Sequence, residues 1–195
     1  MFPSMLTSTD VLHGERILAL RVDVVDRMLA AGVIDGDERA ELLHGLLVVM
    51  DMEGEPHVSI TQRIMERLVI QLAGTPLKVI CQSSAKMGDY QMPSPDVIVI
   101  PRQQGPGRHV GGLLVVEVAD SSLHKDRDIK SSIYATANVP EYWLVDVKAQ
   151  QIVVNTEPEG GEYRRLESIP RTGVLSPTAV SGVKIVVDEL FRPEH

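Results

Sequence analysis

The chain has 195 residues, 44% hydrophobic, 24% charged and 4% aromatic, enough for one domain with a full core that aliphatic side chains must fill. A net charge of −8 argues against a protein that coats nucleic acid through bulk positive potential. No apolar run approaches the roughly 20 residues of a membrane helix, and the single cysteine, Cys81, excludes an intrachain disulfide and a cysteine-based zinc site.

The charge is unevenly spread. Residues 1–56 carry 11 acidic and 4 basic side chains, a balance of −7, whereas residues 57–195 carry 16 and 15, a balance of −1. Local basic patches in the second part can therefore still meet phosphate. Residues 1–12 show no basic segment followed by an apolar one, so a reducing cytoplasm is the expected setting. Residues 1–20 read as a loose segment and 21–192 as a single domain.

In chain order, Val22, Val25 and Met28 or Leu29 have helical spacing, predicting a helix over 22–31 stopped by Gly32. Residues 39–43 and 46–50 flank His44-Gly45 and predict a β-hairpin with a two-residue turn. A polar loop follows over 51–56. Ile60, Ile64, Leu68 and Leu72 then recur every four residues in an amphipathic helix over 57–72, ended by Gly74-Thr75-Pro76. Residues 77–82 predict a strand, 85–91 a weaker one and 96–100 another after Pro93-Ser94-Pro95. Residues 103–112 predict a surface loop.

Residues 113–120 read as a strand buried on both faces, its first seven positions apolar except for Glu117. Ser121 and Ser122 are N-cap candidates for a helix over 125–137. In it Ile129, Ile133 and Ala137 form the predicted buried stripe, with Asp126, Lys130 and Tyr134 on a neighbouring one. Strands follow over 141–147, 151–155, 162–167 and 183–187. One mixed sheet flanked by helices, α/β or α+β, is the expected architecture.

Glu117 organises the functional reading. A carboxylate sunk in an aliphatic strand loses its hydration at a cost of several kcal/mol unless a cation or hydrogen-bond donors replace the water. Asp96, at the head of the preceding strand, can converge with it if the two strands pair. Mg²⁺ or Mn²⁺ takes such oxygen ligands, with the Val118 backbone carbonyl as a third. Lys130 on the next helix could then place a water for attack on a phosphodiester. Each residue also has a plain alternative. Asp96 could be a turn residue, Lys130 and Asp126 a surface i,i+4 pair, His57 a structural histidine and Glu41 a solvated strand residue. Tyr142 and Trp143 could pack in the core or in an interface.

Taken together, residues 40–45 (AELLHG), Pro95-Asp96, Leu114-Val115-Val116-Glu117-Val118, the Asp126, Lys130, Tyr134 series and residues 139–146 (VPEYWLVD) resemble the bacterial "putative restriction endonuclease" family. This is a domain-of-unknown-function group in the PD-(D/E)xK nuclease superfamily, and the resemblance runs over about residues 20–190. It implies a restriction-endonuclease-like core with an N-terminal helix and β-hairpin, and Mg²⁺-dependent DNA cleavage. Asp96 would be the aspartate of the "PD" motif and Glu117 the acid of "(D/E)xK". Ala119 stands where the lysine is usual, so Lys130 from the helix would replace it. Glu41 would be a further acid near the metal, and His57 and Tyr134 would border the site.

Three positions depart from the family pattern: Asp120 for the usual Ser, Asn138 for a common Gly and His44 for the turn Asp. Asp120 adds negative charge beside the expected metal, as a ligand or as a repellent of phosphate. The expected protein is thus a DNA endonuclease. Double-strand cleavage would need two sites and hence a homodimer, with Tyr142–Trp143 and the C-terminal strands as the guessed interface. A non-catalytic binding or assembly module keeping the scaffold is the rival, favoured by the acidic first 56 residues. Hydrolysis of RNA or another phosphate ester is a third reading.

Overall fold

A computed structural model of the protein describes residues 18–34, 39–50, 52–104 and 109–192. Helix α1 (Val22–Ala30) leads into the hairpin β1 (Ala40–Leu43) and β2 (Leu46–Val49), then the long helix α2 (Glu55–Gln71). Strands β3 (Leu77–Cys81), β4 (Ala85–Lys86), β5 (Val97–Pro101), β6 (His109–Val110) and β7 (Leu114–Ala119) follow. A π-helical stretch (Lys125–Lys130) runs into α3 (Ser131–Thr136), and then come β8 (Glu141–Asp146), β9 (Gln151–Glu159) and β10 (Glu162–Pro170). The short β11 (Val174–Leu175), β12 (Ile185–Val186) and α4 (Val187–Leu190) close the chain.

Six strands form the central sheet in the order β10-β9-β8-β7-β5-β3. All neighbours are antiparallel except β7 and β8. A parallel pair needs a crossover, and the π-helical stretch with α3 supplies it. The apolar runs of β5 and β7 occupy interior positions because both of their faces are covered. On one face Ile60, Ile64 and Leu68 of α2, with Leu72 at its C-cap, pack over Val97, Val99, Leu114, Val116 and Val118. Burial of those four side chains contributes roughly 6–12 kcal/mol before entropy is counted. On the other face Ile133, Tyr134 and Ala135 of α3 meet Ile98, Ile100, Val115, Ala119, Tyr142 and Leu144.

The predicted mixed sheet between helices, the N-terminal helix and the hairpin are all present. His44 and Gly45 turn the hairpin with φ of 51° and 77°, the pair of positive values that a two-residue turn requires. The predicted loose segment lies outside the described residues as far as 17. Its end is tied down, since Leu20 N–H donates to the Gly45 carbonyl at 2.9 Å.

Several elements differ from expectation. The strand expected over 85–91 is reduced to β4, and the loop over 103–112 contributes β6, which pairs in parallel with β4. The strand over 183–187 is reduced to Ile185–Val186, and α4 begins at Val187. Strands β9 and β10 extend to nine residues each, as a hairpin arm past the core. Tyr142 and Trp143 are fully enclosed in the chain's own core. A dimer interface made from them is therefore ruled out.

Candidate active site

Strand β5 pairs with β7 only as far as Val97 opposite Val116. Pro95 has no N–H to continue the ladder, and Asp96 uses its side chain instead: Val118 N–H donates to Asp96 Oδ2 at 2.7 Å. The N–H and C=O of one strand residue leave on the same edge, so the Val118 carbonyl also opens toward the gap left by β5. Glu117, one residue earlier, projects from the face covered by α3. Asp96, Glu117 and Val118 thus converge at one end of the sheet, in a cavity of about 80 Å³ that Asp120, Asp126, Lys125 and Lys130 also line.

Helical geometry brings the rest. Asp126, Lys130 and Tyr134 are each 2% exposed or less, so the stripe expected beside the buried one is itself the more deeply buried. Lys130 Nζ lies 2.7 Å from Glu41 Oε1, 3.0 Å from Glu117 Oε1 and 3.6 Å from Asp126 Oδ1. The Tyr134 hydroxyl donates to Glu117 Oε1 as well. Glu41, fully buried on β1, accepts the Ser94 N–H at 2.9 Å and pairs with Lys125 at 3.3 Å. Neither a surface pair for Lys130 and Asp126 nor a solvated Glu41 survives these contacts.

His57, in the first turns of α2, sits between two acids: its Nε2 is 3.1 Å from Asp96 Oδ2 and its Nδ1 is 3.4 Å from Glu53 Oε2. Glu53 is fixed in turn by Arg39 at 2.7 Å and Gln82 at 2.6 Å. Glu53, His57 and Asp96 place one ligand atom each within 4.8 Å of one another, a metal-capable group among the described residues. Sequence reading passed over Glu53 and Lys125. The spacing of Glu53 to His57, i to i+4 across the start of a helix, was the available signal for the first. Lys125 had none beyond adjacency to Asp126.

Electrostatics shows what the arrangement lacks. Burial pushes the Glu117 carboxyl well above its ordinary range; Lys130 pulls it back, while Asp126, Asp96 and Glu41 push it further up. Burial likewise raises Asp126, against Lys130 and the Ser122 hydroxyl. On Lys130, burial opposes the charge but Glu117, Glu41 and Asp126 outweigh it, so its pKa is raised. Burial lowers His57, yet Asp96 and Glu53 more than reverse that. Three buried carboxylates, Glu41, Glu117 and Asp126, surround the buried Lys130, with Lys125 also on Glu41, while the buried Asp96 has His57 beside it. Among the described residues no hydrogen bond falls on Glu117 Oε2 or Asp96 Oδ1, and the buried Asp126 Oδ1 has none. An oxygen-rich cavity short of positive charge fits a hard divalent cation.

Residues 25–188 match the profile of the Uma2 family, described as "Putative restriction endonuclease". The chain belongs to this family. Its fold is shared with a crystal structure of a putative nuclease belonging to DUF820 from Anabaena variabilis, at a TM-score of 0.71 and 15% identity over 86% of this chain and 96% of that one. No curated protein matches the chain. For an Uma2 chain, the site described above assembles the acids expected from the resemblance, with Lys130 arriving from the helix instead of the strand. His44 and Asn138 occupy their turns at φ of 51° and 55°, so these departures keep the local geometry. Asp120 lines the cavity mouth.

Proposed function

We propose that the protein is a metal-dependent endonuclease that hydrolyses DNA phosphodiester bonds. One observation carries the reading: Asp96, Glu117, the Val118 carbonyl and Lys130 meet in a single cavity at the end of the sheet where β5 and β7 part. Asp96 Oδ1, Glu117 Oε2 and the Val118 carbonyl would hold Mg²⁺ or Mn²⁺. That ion would supply Lewis acidity toward a phosphoryl oxygen and a lowered pKa for bound water.

The chain's own groups do the rest. Lys130 pairs with Glu117 and Glu41 and would stand beside the attacking water. Tyr134 fixes the Glu117 carboxylate. His57, with Glu53 3.4 Å from its Nδ1, orients Asp96, as partners of ligands do in metal sites generally. Lys125 keeps 27% of its side chain exposed and, among the described residues, has one carboxylate partner, so it is the lysine of this site able to reach a phosphate oxygen. Cleavage of both strands would use two chains related by a twofold axis. Their contact would lie away from Tyr142 and Trp143.

The test is nicking of supercoiled plasmid in Mg²⁺ or Mn²⁺. Wild type should cut, while Glu117→Ala and Lys130→Met should lose cutting by at least about a hundredfold. A wild-type protein that leaves plasmid and single-stranded DNA intact in both metals overturns the assignment and leaves the non-catalytic module standing.

A further inference from the structure

A second cavity, of about 460 Å³, opens on the other flank of the α2 N-terminus, where Arg63, Arg171 and Arg192 line it with Glu55 and Gln150. Strand register fixes its position. Ala119, Asp146, Gln151 and Pro170 stand side by side across β7, β8, β9 and β10. Gln150 and Arg171 therefore lie at the same end of the sheet as Asp120 and the acidic cavity. Three strand spacings of about 4.8 Å separate β10 from β7 by roughly 14 Å. Along one strand of a duplex, at about 3.4 Å of helix axis per phosphate, that is about four phosphates.

The arginines are held in place rather than loose. Asp188 accepts Arg171 Nε at 2.7 Å and Arg192 Nε at 2.9 Å, so one carboxylate sets two guanidinium planes. The Gln150 Oε1 accepts Arg171 Nη1 at 2.7 Å, and the Leu190 carbonyl accepts Arg63 Nη1 at 2.9 Å. Among the described residues, Arg171 Nη2 and both Nη atoms of Arg192 donate no hydrogen bond. Arg171 and Arg192 share the Asp188 carboxylate and stand beside a carboxylate-rich site. Fixed planar forks with unused N–H groups match phosphate oxygens, and their ordering cost is already met in the free protein.

We propose that this arginine trough binds the phosphates of a nucleic-acid strand on one side of the bond to be cut. The proposal rests on the nuclease reading and gives it a strand path, from the acidic cavity over the ends of β8 and β9 to β10.

A labelled duplex of 30 base pairs is titrated with the full chain in Ca²⁺, for wild type and Arg171→Gln/Arg192→Gln. The double variant should bind at least about tenfold more weakly at low salt, and its log–log salt slope should be shallower by about 2, one for each lost phosphate contact. Arg171→Lys/Arg192→Lys should keep the slope and lose part of the affinity, a split that a folding defect would not give. Should the Gln pair melt early, Arg192→Gln alone, at a side chain 61% exposed, carries the same test. Equal affinity and slope in the Gln variants overturn the trough while leaving the nuclease reading intact. A wild type that ignores the duplex but binds inorganic triphosphate through these arginines overturns the nucleic-acid assignment and the nuclease reading with it.

Discussion

Two buried glutamates show what separates a structural acid from a chemical one. Glu141 is 1% exposed, and its carboxylate accepts the Trp143 indole N–H at 2.6 Å, the Thr178 N–H and hydroxyl at 2.7 and 2.9 Å, and the Ala179 N–H at 3.1 Å. Neutral donors fully satisfy it, and it pins the 178–179 loop to β8. Glu117 has a lysine and a tyrosine on one oxygen and, among the described residues, no hydrogen bond on the other. Its position inside an aliphatic run made it legible in the sequence; Glu141, at a strand start after Pro140, gave no such contrast. The burial of Lys130 was not legible either, because i,i+4 spacing yields two adjacent stripes and does not say which faces inward. Removing that ammonium in Lys130→Met strands three carboxylates, and should cost about 3–5 kcal/mol in urea unfolding. Adding Glu117→Gln should return part of that loss, since the two side chains touch and their effects cannot add. Additive losses would mean that the pair is not coupled.

At the scale of elements, periodicity located the helices and the apolar runs located β5 and β7, but not where pairing stops. The early separation of β5 from β7 follows from Pro95 together with an aspartate able to take over a ladder hydrogen bond. The π-helical stretch left no mark in the sequence, as its side chains keep an ordinary helical pattern. Turn chemistry was readable at His44-Gly45. A methyl group on Gly45 would come within 2.6 Å of Ala19 Cβ and 3.0 Å of Ala19 Cα. Gly45→Ala should therefore lose about 1–3 kcal/mol, through strain at positive φ and displacement of the segment before α1. Asn138 ends α3 in the left-handed region, with Asn138 N–H to the Ala135 carbonyl and Val139 N–H to the Tyr134 carbonyl, both at 3.0 Å. Asn138→Ala should cost about 1–2 kcal/mol by chemical denaturation. No change in the midpoint for either variant would contradict the turn assignments.

Over the whole molecule, a net charge of −8 and a nucleic-acid substrate are compatible because charge is placed, not averaged. The acids gather at the end of the sheet where the strands part, and arginines flank them. A chain built this way should be strongly salt-sensitive in DNA binding despite its acidity. Composition alone hid this, since the trough draws its arginines from α2, the turn after β10 and the residues after α4. The central claim is that Glu117 and Asp96 share a divalent ion, and calorimetric titration of Mn²⁺ into wild type and Glu117→Gln tests it most directly. The account predicts saturable heat from wild type at one ion or more per chain, with a stoichiometry lower by at least one in the variant. Identical isotherms, or no heat from wild type, would contradict it.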